Sequence, residues 1–131
     1  MPGPKYGPEN TEDNMGLLQQ DDQVSLGKGK KTASATAGAA TLHQPSGVIT
    51  SEALTTAADS AATYTLTITN SQVIATDIVQ VTLGSGTNTA GTPVLVSAVA
   101  AAGSIVCKVM NVHPSAALNG TLTFAFVVWK A

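Results

Sequence analysis

Charged residues are scarce in this chain: Asp, Glu, Lys and Arg together make up 11% of its 131 residues, against about 25% in an ordinary soluble domain. Arginine is missing altogether, and with it the planar fork that grips phosphates and base edges bidentately. Nucleic-acid binding is therefore not expected. The single cysteine, Cys107, excludes an internal disulfide and a cysteine-built metal cage. No stretch approaches the roughly 18 consecutive apolar residues of a membrane-spanning helix, so no membrane partner is expected. Met1-Pro2-Gly3-Pro4-Lys5 lacks the apolar stretch of a signal peptide. A protein made and used on the cytoplasmic side, or released by lysis, fits that start.

What charge there is crowds to one end. Lys5, Glu9, Glu12, Asp13, Asp21, Asp22, Lys28, Lys30 and Lys31 fall in the first 31 residues, whereas the other 100 hold only Glu52, Asp59, Asp77, Lys108 and Lys130. The same first segment carries three of the six prolines and five of the 12 glycines. The chain divides accordingly into an extended N-terminal anchoring arm, residues 1–31, and a body, residues 32–131. An arm of this composition cannot bury enough apolar surface to offset its own ordering entropy. A partner surface gripping Tyr6, Met15, Leu17, Leu18, Val24 and Leu26 would supply what it lacks. Gly27-Lys28-Gly29-Lys30-Lys31-Thr32 has neither the spacing of a phosphate loop nor a strand before it, and reads as a basic hinge. Those lysines either contact an acidic partner surface or stand solvated. Catalysis draws on ionisable groups, and a body with five charged residues in 100 is not expected to be an enzyme or to hold a cofactor.

The body reads as β throughout. Residues 32–42 are small and polar, a linker running into a first strand. Val48–Leu54 follows the turn signal Gln44-Pro45-Ser46-Gly47, and Tyr64–Thr69 alternates Tyr64, Leu66 and Ile68 with threonines. Asp77–Leu83 precedes a Gly-rich loop, Gly84–Pro93; Val94–Ala100 and Ser104–Val112 flank a turn at Gly103. After the turn signal Asn119-Gly120, Thr121–Lys130 places Leu122, Phe124, Phe126 and Val128 on one face. Helical periodicity is convincing nowhere. Six to eight strands at regular spacing imply an all-β fold, an antiparallel β-sandwich or jelly roll. Leu66, Ile68, Val109, Leu122, Phe124 and Phe126 should share its core. Threonine-rich faces suit a half-solvated sheet but defend its edges poorly, so the body is expected to self-associate.

Candidate chemistry is thin. His43 and His113 lie in loops, and no spacing joins them to Glu52, Asp59 or Asp77 as metal ligands, so no metal is expected. Cys107 alternates with Ile105 and Val109 as a small buried hydrophobe would. Trp129 falls on the face opposite Phe124 and Phe126, where it is either a subunit contact or buried on the second face of the last strand. The loop Gly84–Gly91 could line a glycan site.

Three stretches carry a resemblance. Gly47-Val48-Ile49-Thr50-Ser51-Glu52-Ala53-Leu54-Thr55-Thr56-Ala57-Ala58, then Tyr64-Thr65-Leu66-Thr67-Ile68-Thr69-Asn70-Ser71, and finally the segment from Asn111 to Phe124, with His113-Pro114 and Asn119-Gly120, resemble small β-sandwich virion proteins of tailed bacteriophages. Members of that group decorate capsids or form short head or tail fibres. The resemblance spans roughly residues 40–131, rests on strand and turn patterns, and leaves out the arm. It implies a homotrimer attached through its N-terminal segment, assembled in the host cytoplasm and located on the virion, with phage capsid or other virion proteins as partners. The function expected is capsid decoration (cement) or a head fibre. A tail adaptor or tail-fibre component is the alternative. A carbohydrate-binding module for host glycans is the second, disfavoured by five aromatics and three body carboxylates.

Overall fold

A computed structural model of the chain describes residues 30–131. The arm's candidate contacts Tyr6, Met15, Leu17, Leu18, Val24 and Leu26 lie outside the described residues. The remainder forms eight strands: β1 (Thr32–Ser34), β2 (Ala39–Thr41), β3 (Ser46–Thr50), β4 (Thr63–Thr69), β5 (Ile78–Ser85), β6 (Pro93–Ala101), β7 (Ser104–Asn111) and β8 (Leu122–Trp129). Two four-stranded sheets, ordered β1-β3-β8-β5 and β2-β4-β7-β6, stack as a β-sandwich, with no helix among the described residues. The long strands pair antiparallel, while the short β1 and β2 add to β3 and β4 in parallel, so both sheets are mixed.

Alternation builds the core. In β4 the threonines face outward and Leu66 and Ile68 inward; β7 sends in Ile105, Cys107 and Val109, and β8 sends in Leu122, Phe124, Phe126 and Val128. Leu66, Ile68, Val109, Leu122, Phe124 and Phe126, expected to meet, are each at most 1% exposed and lie in one cluster. β3 contributes Ile49, and the Tyr64 ring tilts against Phe124 across the sandwich, with centroids 6.4 Å apart.

β4 to β8 each differ from the sequence reading by one or two residues at their ends, and two stretches depart further. Residues 32–42 are not a linker: they supply β1 to one sheet and β2 to the other. Between them Thr36 and Ala39 exchange backbone hydrogen bonds of 2.9 and 3.0 Å around Ala37 and Gly38, both at positive φ (51° and 76°). That is the geometry of a type I′ turn, built on Ala-Gly instead of the usual Asn-Gly, which is why it does not announce itself. The strand read as Val48–Leu54 instead runs Ser46–Thr50. Beyond Thr50, Ser51 holds Leu122 doubly, its N–H donating to the Leu122 carbonyl and its Oγ accepting the Leu122 N–H, which lifts the chain out of the ladder.

The topology gives the sandwich two ends. β1 enters beside the start of β3, so the arm joins at the end formed by residues 42–45, 70–77, 101–104 and the last two residues. The far end gathers residues 51–62, 86–92 and 112–121.

Candidate functional site

Few ionisable groups are available, and most are committed to internal ties. Glu52 leaves β3 and turns inward, where one carboxylate oxygen accepts the Gly38 N–H and the other the Tyr64 hydroxyl, both at 2.8 Å. One carboxylate thus fastens the sheet-crossing turn to β4. Gly38 is required there: a Cβ would sit 2.6 Å from the Thr65 carbonyl oxygen, in a backbone conformation that side chains rarely adopt. Burial above all raises the Tyr64 hydroxyl's pKa, and its hydrogen bond to the Glu52 carboxylate and that group's charge add to the effect.

Asp77 forms the second tie. Its side chain is fully enclosed and accepts from Lys130 Nζ at 2.6 Å, from the Ile74 N–H at 3.0 Å and from the Ala131 N–H at 3.2 Å. The Lys130 ammonium, more than the backbone donors, holds its carboxyl below the usual carboxylate range. Lys130 also donates to the Gln72 carbonyl, so the last residues of the chain clamp the loop before β5. Of the body's five charged residues only Asp59 and Lys108 stand exposed outside these ties.

At the far end uncharged amides do the organising. Asn111 is fully buried at the end of β7; its Nδ2 donates to the carbonyls of Thr56 and Ala116, and its Oδ1 accepts from the N–H groups of Thr92 and His113. All four hydrogen-bonding positions of one side chain hold three loops together. Asn119 Oδ1 accepts the N–H groups of Thr89 and Ala90, and Asn88 Nδ2 donates to the Asn119 carbonyl. Thr87 and Thr121 exchange hydrogen bonds beside Gly120, whose φ of 59° carries the turn. The loop Gly84–Gly91, considered as a glycan site, therefore directs much of its polar capacity into the protein. No buried side-chain nitrogen or oxygen among the described residues lacks a partner.

The histidines make structural hydrogen bonds, His43 between two loops and His113 within its own turn. His43 Nδ1 accepts the Ser71 N–H, and His113 Nδ1 accepts those of Ser115 and Ala116. Among the described residues no three His, Cys, Asp or Glu side chains gather as a metal site. Cys107 is fully buried, which pushes its thiol up to about 11, well away from a reactive thiolate. No helix among the described residues is long and apolar enough to cross a membrane.

Trp129 is 52% exposed, so the reading that buries it on the second face of β8 falls away. Its indole N–H donates to Gln80 Oε1 at 2.7 Å, leaning across onto β5, where Ile78 is its cross-strand neighbour. The other large exposed apolar residues are distributed over both sheets and both ends of the sandwich. Ile74 and Ile78 lie before and on β5, Val94, Val96 and Val99 lie on β6, and Val112 pairs with Thr92 just before β6. Single-sequence alternation finds outward residues but not that Ile78 and Trp129 are neighbours, because strand order is not written in periodicity.

Lys31, at the end of the basic hinge, is tied to β3 just before β1 begins: its carbonyl accepts the Val48 N–H and its Nζ reaches Ser46 Oγ at 3.3 Å. Protein-family models, curated proteins and solved structures all fail to match this chain.

Proposed function

We propose that this chain is a non-enzymatic structural protein of a phage virion, a capsid decoration or head-fibre subunit that docks by its N-terminal arm and whose body self-associates. The observation that carries the reading is where the charge goes. In the body it is used internally, by Glu52 on the sheet-crossing turn and by Asp77 on Lys130, while the segment richest in charge precedes β1. The arm joins at one end of the sandwich, and the amide-organised loops stand at the other. A body so arranged projects away from an anchoring surface. Binding only to assembled shell would stabilise that shell by mass action, and repeated copies would add avidity. The trimeric state belongs to the resemblance alone.

Particle association tests it. The full-length protein should co-sediment with the phage particles produced alongside it, and a chain beginning at Thr32 should stay folded but lose that binding. A copy number matching the many subunits of a capsid supports decoration. One matching a tail assembly moves the protein to the tail, and undiminished binding by the shortened chain assigns attachment to the sandwich instead.

A further inference from the structure

We propose that residues 31–41 form a releasable strap. Seated, it closes the short-stranded flank; released, it lengthens the N-terminal tether while β3 to β8 stay folded. The use of that tether rests on the reading above that the arm anchors the protein, whereas the release itself does not.

The strap lies on the sandwich and contributes little to it. β1 and β2 are edge strands of three residues, each with a strand neighbour on one side only. The side chains they and their turn bury are methyl groups, Ala35 and Ala40 fully and Ala33 in part, which remove little apolar surface from water. β8 by contrast buries Leu122, Phe124, Phe126 and Val128. The tip is strained as well: Ala37 sits at a φ of 51°, in the left-handed region that an alanine rarely occupies. What holds the tip is the Glu52 carboxylate on the Gly38 N–H, together with the Gly38 carbonyl accepting the Thr67 N–H at 2.8 Å. A side chain from the body therefore acts as a latch on a thin, strained element.

The root of the strap is built differently. Leu42 is buried and donates its N–H to the Thr69 carbonyl at 3.0 Å. The His43 carbonyl accepts Gln72 Nε2 and the His43 Nδ1 accepts the Ser71 N–H. The Gln44 carbonyl accepts Nδ2 of the fully buried Asn70 at 2.6 Å, and the Pro45 carbonyl accepts the Val128 N–H at 2.8 Å. Peeling that begins at Lys31 thus runs through β1, the turn and β2, and stops at Leu42. Both ends of the strap meet at Gly47, where a Cβ would lie 2.8 Å from the Lys31 carbonyl oxygen and 2.5 Å from Leu42 Cδ2. Because it starts and finishes at one point, its release adds nearly its whole extended length, roughly 35 Å, between body and arm. A load arriving through the arm meets the strap first, since β1 has one strand neighbour whereas β3 and β8 each have two.

Amide exchange and single-molecule stretching of the full-length chain test the strap. The Ala35 amide should exchange together with those of Val48 and Thr67, which belong to the body but donate to strap carbonyls, while Leu42 and Val128 stay protected. Glu52→Ala should speed the first set by about tenfold or more and leave the second unchanged, and Glu52→Gln should restore most of the protection. Ala37→Asn, which suits a type I′ turn, should slow the first set by about threefold. Stretched between its termini, the chain should lengthen in a discrete early step of roughly 35 Å before the body unfolds, at lower force in Glu52→Ala. Strap amides that exchange only as fast as Leu42 and Val128 overturn the proposal, and so does stretching in which no step precedes unfolding of the body. An early step in a protein that fails to co-sediment with phage particles overturns its use as an anchoring tether and leaves the release standing.

Discussion

At one flank of the sandwich, β1 and β2 are joined by a two-residue turn that carries the chain from one sheet to the other. At the other, β5 and β6 lie against each other as long strands, connected only through the loop of residues 86–92. The first flank closes an edge with covalent chain, three-residue strands and a carboxylate that binds the turn's Gly38 N–H. The second has no charge on its strands and leaves Ile78, Val94, Val96 and Val99 exposed. A sandwich that could only be a monomer would be expected to blunt both edges. The asymmetry sets a flank closed where the chain crosses between sheets against one where β6 is blunted by Pro93 and by the register shift between Leu95 and Ser97, while β5 carries neither device.

The largest perturbation should strike what both flanks share. Phe124 is fully buried between them, and Phe124→Ala should cost about 3–5 kcal/mol in chemical denaturation. Next comes the carboxylate tie of the short-stranded flank. Glu52→Ala strands the Tyr64 hydroxyl and the Gly38 N–H, and should cost about 1.5–3 kcal/mol. Faster amide exchange at Gly38 than at the residues of β5 would show that the loss is local. Glu52→Gln, which keeps the shape, should lose less.

pH should separate the two flanks by sign. Tyr64 has its folded pKa raised above the ordinary 10.0, so the stability it contributes is complete below that value and fades as pH climbs through the folded one. Cys107 adds to alkaline loss, between its ordinary 9.0 and about 11. Tyrosinate absorbance from Tyr64 should therefore appear only as the protein unfolds, and Tyr64→Phe should remove that step. Asp77 behaves in the opposite direction. Its folded pKa lies below the ordinary 3.8, so its contribution is present above that value and lost as pH falls through the folded one. Lys130→Ala should move the acid-unfolding midpoint upward, with the loop before β5 opening first. The smallest effects belong to the surface: Ile78→Lys and Ser34→Lys should each change the stability of the isolated subunit by no more than about 0.5 kcal/mol. A large loss for Ile78→Lys under monomeric conditions would mean that this side chain packs within the subunit.

Much of the fold was legible because alternation is local. Tyr64 to Thr69 and Leu122 to Val128 declare their faces residue by residue, and a two-residue period can bury one set only against another sheet. The type I′ turn at Ala37-Gly38 was not legible, since its φ values are held by a carboxylate 14 positions away in sequence, not by an Asn or Asp in the turn. Asn111 was equally silent: nothing in the sequence tells an amide that saturates four partners from one that faces water.

Composition and periodicity by themselves determined the class of fold, the core faces of β4, β7 and β8, the separation of a charge-rich N-terminal segment from a charge-poor body, and the reading of Cys107 as a small buried hydrophobe. Those properties follow from nearest neighbours and from the kinds of atoms present. Tertiary structure alone decided that the residues after the hinge are strands rather than linker, that Glu52 and Asp77 face inward as ties, and that Ile78 and Trp129 are cross-strand neighbours. Strand order is set by which long-range pairings bury the most surface at the least loop cost, a sum over the whole chain that no local window of sequence contains.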